Sequence, residues 1–128
     1  MVLLDTDVVI DLLRQYPPAL DWLDTLGDQE VALPGYVAME LLQGCRDQTE
    51  QRRLQKALEP FAVLWPPPDI CDAALAVFAQ YHLSLNLGLL DALIGQLAVS
   101  MNSPLHTFNQ KHYAAFSELE TVQPYRKL

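Results

Sequence analysis

The sequence predicts an α/β fold, a three-layer sandwich around a central parallel sheet of four or five short strands. Short apolar runs are the first observation. Val2, Leu3 and Leu4 form a buried strand that stops abruptly at Asp5, and Val31 to Leu33 repeat the pattern. Helical periodicity between such runs is the second, clearest over 88–101, where Leu90, Leu93, Ile94, Leu97, Ala98 and Met101 share one face. Strands that alternate with helices give a parallel sheet with helices on both faces. No internal repeat or boundary interrupts the 128 residues, so one domain over 1–128 is expected.

In chain order, the strand over 2–4 feeds a helix that Asp7 or Thr6 can cap and that runs to about Arg14. Pro17 and Pro18 break it, and Pro18 suits a new helix start. Leu20, Leu23 and Leu26 give that second helix an apolar stripe, and Gly27 ends it. A strand at 31–33 closes at Pro34 and Gly35, before a helix over 37–44 that carries Glu40. A polar helix follows over 48–58, Pro60 ends it, and 61–65 make a third strand. Three prolines at 66–68 lead into a helix over 69–81, and the strongly patterned helix over 88–101 comes next. A fourth strand at 105–107, a short helix from Asn109 to about Phe116 and a fifth strand at Thr121 and Val122 complete the pattern.

Composition narrows the function. Hydrophobic residues make up 51% of the chain without a long polar run, which argues against disorder. No run of about 18 apolar residues occurs, so no membrane span is expected. The first strand has no basic segment ahead of it, so no signal peptide is expected. Cys45 and Cys71 then read as reduced thiols rather than a disulfide, and the compartment as the cytoplasm. A net charge of −8 argues against a duplex binder, which usually presents a basic face. Metal neutralisation of an acidic site, or a local basic patch, would reconcile this charge with a nucleic-acid substrate. Arg46, Arg52, Arg53 and Lys56 cluster in one segment, which reads equally as a solvated helix face or a phosphate-contacting strip.

Three acids stand where a core-forming sequence would not put them. Asp5 ends an apolar strand, and ligands of parallel α/β folds sit outside the carboxyl ends of strands. Glu40 precedes Gly44 by four residues, which stacks a residue without a side chain beside its carboxylate and lets a partner approach. Asp91 precedes Gly95 by the same interval and falls at the edge of an apolar face, where it is at least half buried. Two carboxylates about 6 Å apart repel by roughly 3 kcal/mol at an effective dielectric near 20. Three together would strain a fold whose total stability is about 5–15 kcal/mol, unless a cation binds or a proton is trapped. Oxygen ligands favour Mg²⁺ or Mn²⁺. The bland alternatives are a helix cap for Asp7 and for Asn109, and a helix-start acid for Asp91. His106 and His112 lack partners at zinc spacing, His82 reads as a surface residue, and no Gly-rich phosphate loop is present.

These residues together resemble the PIN-domain ribonucleases, specifically the VapC-type toxins of bacterial toxin–antitoxin pairs. The resemblance runs through LLDTDVVIDLL at 3–13, MELLQG at 39–44, LLDALIGQLA at 89–98, LHTFNQKHY at 105–113 and the Pro124–Tyr125 ending. It implies a sandwich with an acidic pocket at the strand ends. By position, Asp5, Glu40 and Asp91 match the family's three usual acids. Asn109 falls where many relatives carry a fourth acid and others asparagine, so one metal or two stays open. Thr6 and Thr107 match polar positions beside the pocket, and Pro34–Gly35 replaces a serine often seen before the Glu40 helix. The resemblance implies Mg²⁺- or Mn²⁺-dependent RNA hydrolysis, with Asp5 and Asp91 on the metal and Glu40 positioning or deprotonating water. It also implies a homodimer and a cognate antitoxin able to mask the pocket with a basic side chain. Arg46, Arg52 and Lys56 are the candidates for steering RNA.

Two other readings compete. Asp5, Thr6, Asp7, Val8 and Val9 fit the opening D-x-D-x-V/T pattern of haloacid-dehalogenase-type phosphatases, which use the first aspartate as nucleophile. That class also needs a later lysine and paired acids, and only Lys56, Lys111 and Lys127 are present, with no later acid pair. The other reading is an inert acidic module that binds a basic peptide.

Overall fold

The computed structural model describes residues 1–128. β1 (Val2–Leu4) is buried along its whole length, as an unbroken Val-Leu-Leu run requires. It lies at the centre of a five-stranded sheet with β2 (Val31–Pro34), β3 (Ala62–Leu64), β4 (Leu105–His106) and β5 (Thr121–Val122). The order is β3–β2–β1–β4–β5 and every pairing is parallel, with Val2 opposite Val31 and Leu3 opposite Leu105. The chain therefore builds outward from β1 in one direction, then returns to build outward in the other. The gap between β1 and β4 is the topological switch point, where open α/β sheets bind ligands.

Six helices join the strands: α1 (Thr6–Leu13), α2 (Pro17–Thr25), α3 (Gly35–Gln43), α4 (Gln48–Leu58), α5 (Pro68–Tyr81) and α6 (Leu89–Ser100). Helix α5 packs along α6, and α3 meets both α1 and α6. The core holds Leu3, Leu4, Val8, Val9, Leu33, Ile94 and Leu105, all with no exposure. No helix is long and apolar enough to cross a membrane. Cys45 and Cys71 are free thiols.

Several boundaries differ from expectation, each for a physical reason. The N-cap of α1 is Asp5, not Asp7 or Thr6, because its carboxylate accepts the Thr6 amide at 2.8 Å. Helix α2 opens on Pro17, one residue early, since both prolines fit the first turn. Gly27 follows its end at φ +59°, a conformation costly for any residue with a Cβ. Helix α3 starts at Gly35, two residues early, because Pro34 ends the strand and caps the helix with no loop between them. Gly35 has a packing reason: a Cβ there would collide with the Trp65 indole. The helix expected after Asn109 shrinks to a 3₁₀ turn, Gln110–Tyr113, beyond which Phe116 folds back into the core.

Phe116 also corrects the reading of Gly95. Its ring fills the space beside that glycine, where a Cβ would lie 2.5 Å from a ring carbon, so the gap serves packing and not an approaching partner. Alanine there gains up to about 1 kcal/mol of helix propensity but overpacks the α6 contact at a cost of about 1–3 kcal/mol. Gly95→Ala is therefore expected to lower the urea midpoint, by an amount equivalent to about 1–2 kcal/mol. An unchanged or higher midpoint would show that the ring moves aside freely.

Candidate active site

Two adjacent strands, β1 and β4, deliver polar groups from their carboxyl ends to one edge of the sheet. Asp5 leaves β1 and Thr107 leaves β4, on either side of the switch point, and both are buried. The Asp5 carboxylate is the hub. Oδ1 accepts the Thr6 amide at 2.8 Å. Oδ2 accepts two hydroxyls, from Thr107 at 2.9 Å and Tyr113 at 2.8 Å. Since a carboxylate oxygen has about two lone pairs, Oδ2 is fully claimed and Oδ1 keeps one free.

The other two acids hang from this hub by single side chains. Thr6 donates its hydroxyl to Glu40 Oε2 at 3.0 Å, so one threonine links Asp5 to Glu40. Tyr113 lies 3.4 Å from Asp91 Oδ1 and so links Asp5 to Asp91. Asp91 occupies the first turn of α6 and its side chain is 27% exposed, as the edge-of-face reading expects. Its Oδ2 faces His112 Nδ1 at 3.7 Å, the one basic group beside it. Burial raises the Glu40 carboxyl above its ordinary range; the Thr6 hydrogen bond opposes this, and the charges of Asp5 and Asp91 add to it. Burial likewise raises Asp91, the Asp5 charge adds, and His112 and Tyr113 pull it down. The acids at 5, 40 and 91 therefore share one electrostatic environment, although no three acidic, imidazole or thiol groups close into a ready-made metal cage.

Asp7 and Asn109 form a support beneath them. Asp7 Oδ1 accepts the Val8 amide at 2.9 Å, and Oδ2 accepts the Phe108 amide at 2.8 Å and the Asn109 side-chain amide at 3.2 Å. Asp7 is raised by burial, opposed first by the Phe108 amide and raised further by Asp5. Oδ1 is committed to the first turn of α1 and Oδ2 to the 107–109 loop, so Asp7 staples the start of α1 to the segment after β4. The Asn109 side chain caps nothing; it donates to Asp7. This also counts against the phosphatase reading, whose second aspartate must be free to move a proton.

The C-terminal segment braces the same loop. The Tyr125 hydroxyl donates to Asp11 at 2.6 Å, and the Lys127 ammonium reaches Asp11 at 3.2 Å and lies 4.3 Å over the Phe108 ring. The Tyr125 ring meets Phe108 edge-on at 4.9 Å. Tyr125→Phe keeps the ring but unpairs a hydrogen bond to a mostly buried carboxylate. It is expected to destabilise the fold by about 1–2 kcal/mol in chemical denaturation, Lys127 limiting the loss. His106 is occupied elsewhere: Nδ1 lies 3.2 Å from the Leu3 carbonyl, and Trp22 packs 5.4 Å from the ring.

A groove of about 730 Å³ opens from Glu40 and Thr6 between α1, α3 and α4, floored by Ile10, Leu41 and Leu54. Gly44 lines it next to Glu40, as its spacing suggested. The cations on its wall are Arg14 and Arg53, whereas Arg46, Arg52 and Lys56 do not line it. Arg46 pairs instead with Glu50 at 3.2 Å, and Arg52 with Gln48 at 3.3 Å, both exposed. Tyr113 is the site residue that sequence reasoning missed. The available signal was a hydroxyl-bearing ring four residues after Asn109, within LHTFNQKHY.

Comparison with known proteins agrees with this geometry. The PIN domain family model matches residues 2–118. Ribonuclease VapC10 of Mycobacterium tuberculosis is 33% identical over 122 residues, 94% of this chain and 91% of that protein. A toxin–antitoxin complex from Klebsiella pneumoniae superposes with a TM-score of 0.77 at 27% identity, over 99% of this chain and 100% of that one. VapBC2 from Rickettsia felis, bound to a DNA fragment from their promoter, superposes with a TM-score of 0.78 at 19% identity, over 95% and 98% of the two chains, a likeness of fold alone. The family match spans most of the chain, and the acids, the sheet order and the relatives all point the same way: the chain belongs to the PIN-domain family, among its VapC-type members.

Proposed function

We propose that this protein is an Mg²⁺- or Mn²⁺-dependent endoribonuclease that acts in the cytoplasm as the toxin of a toxin–antitoxin pair. The observation that carries the reading is the hub at Asp5, from which Thr6 and Tyr113 reach to Glu40 and Asp91. The donor set fits a hard cation, because every candidate ligand atom is a carboxylate oxygen. Asp5 Oδ1 keeps a lone pair that no protein donor claims, and no hydrogen bond reaches Glu40 Oε1. The open arrangement suits an ion that keeps several waters, as Mg²⁺ does.

Asp5 and Asp91 are the residues proposed to hold the cation. Bound there, the cation would supply charge stabilisation to a phosphodiester and an activated water. Glu40, with Oε1 free of protein donors, would orient a water and accept its proton. Thr6, Thr107 and Asn109 keep the carboxylates aimed, and Arg14 and Arg53 are better placed than Arg46, Arg52 and Lys56 to meet RNA phosphates. A cognate antitoxin would mask the acidic pocket with a basic side chain. The homodimer of this reading is served by apolar residues left exposed on α5 and α6, Leu75 at 67% and Leu89 at 63%.

The test is RNA cleavage by the purified protein with Mn²⁺, with a chelator, and with Asp91→Asn. Cleavage is expected to need the cation and to fall by about 10²–10³-fold in the variant. Cleavage that persists in chelator would overturn the metal reading; undiminished cleavage by Asp91→Asn would remove that acid from the site.

A further inference from the structure

The geometry points to Tyr113 as a positioning residue that sets the spacing of Asp5 and Asp91 and selects which Asp5 oxygen faces a cation. The inference rests on the metal-dependent reading above. Tyr113 is 2% exposed and packed within the main core, so its ring is held on all sides. Its hydroxyl carries one proton, 2.8 Å from Asp5 Oδ2 and 3.4 Å from Asp91 Oδ1. Burial and the charges of both acids keep the phenol protonated, so it is a permanent donor.

Two consequences follow from one atom. Asp5 follows β1 and Asp91 lies in the first turn of α6, and the Asp5 charge raises the cost of ionising Asp91. Without a donor between them, repulsion would turn the more exposed Asp91 toward solvent. The shared hydroxyl gives both carboxylates a common partner and holds them within one phenol's reach before any counter-charge arrives. The second consequence is selection. Tyr113 and Thr107 together claim Asp5 Oδ2, which leaves Oδ1 as the oxygen with a lone pair to offer. Outer partners that orient ligands in this way typically govern metal affinity by about 10–100-fold.

Tyr113→Phe keeps the ring and deletes the hydroxyl. Titration calorimetry with Mn²⁺, without RNA, is expected to show about tenfold weaker binding or more. In cleavage assays kcat should fall while KM for RNA holds, and higher Mn²⁺ should restore turnover. Unchanged or tighter Mn²⁺ binding by the folded variant overturns the inference. Should the variant not fold, wild-type protein carrying [13Cζ]tyrosine decides. Its Tyr113 signal, identified by replacing Tyr16, Tyr36, Tyr81 and Tyr125 in turn with phenylalanine, should shift on Mg²⁺ addition, and an unmoved signal overturns the inference. Wild-type protein that binds no Mn²⁺ overturns the metal reading and this inference with it. Wild-type binding matched by an unaffected variant overturns this inference alone.

Discussion

Asp5→Asn is expected to abolish RNA cleavage, by about 10³-fold or more, and to leave the protein at least as stable as the wild type. The activity loss follows from the hub position, since the substitution removes the charge that Thr6, Thr107 and Tyr113 aim. The stability outcome follows from hydrogen-bond accounting. The asparagine carbonyl can keep the Thr6 amide. Its amide nitrogen, in place of Oδ2, can donate to the Thr107 or Tyr113 oxygen. Thr107 can then turn its proton to Asp7 Oδ2, 3.5 Å away, as a third and weaker donor beside Phe108 and Asn109, and Tyr113 can turn its own to Asp91 Oδ1 at 3.4 Å. No buried donor is orphaned. The charge that raises Asp7, Glu40 and Asp91 disappears at the same time. Urea unfolding without metal should therefore show a gain of up to about 2 kcal/mol, the cluster repulsion being of that order. An inactive variant that is also several kcal/mol less stable would mean that Asp5 serves the fold, and the cluster would lose its functional reading.

What the sequence disclosed about this site, and what it hid, divides along the range of the interactions. β1 was legible because an apolar run ending in an acid is a local signal. Asp5, Glu40 and Asp91 stood out because an acid among buried apolar positions is costly wherever it lies. The strand alternation that predicted the parallel sheet is also local, and it survives in the β3–β2–β1–β4–β5 order. Asp7 was misread because short-range rules favour it as a cap, whereas its partners are Phe108 and Asn109, brought alongside only when β4 pairs with β1. Tyr113 was missed for the same reason: a ring in a core position looks apolar until the fold sets two acids against its hydroxyl. Gly95 and Gly35 look alike in sequence as gaps, yet Phe116 fills one and Trp65 the other. The basic segment misled about direction, since helix phase in α4 puts Arg53 on the groove and leaves Arg52 and Lys56 off it, while Arg46 precedes the helix.

The second large effect concerns pH, and activity and stability should respond with opposite signs. Burial, first, and neighbouring acids, second, hold Glu40 and Asp91 above the ordinary carboxylate range, although Thr6 relieves Glu40, and His112 and Tyr113 relieve Asp91. Both must be ionised for the proposed chemistry. On the acid side, the logarithm of kcat/KM should thus rise with pH at a slope approaching 2, about 100-fold per unit, with apparent values that belong to the pair. That limb should lie above the ordinary range near 4. Stability without metal runs the other way. A carboxyl raised by folding binds its proton more tightly in the native state, so its contribution improves as pH falls through the raised values and levels off below the unfolded value. His106 opposes this, because burial lowers its pKa and the fold loses stability as pH drops below about 6.5. Comparing the wild type with Asp91→Asn cancels the His106 contribution. The wild-type melting temperature, relative to that variant, should climb without metal as pH falls from neutrality toward the ordinary carboxylate range, while cleavage by the wild type declines in the same direction. A melting difference that stays flat, or a limb with slope 1 at ordinary carboxylate pH, would mean that Glu40 and Asp91 do not titrate in one shared pocket.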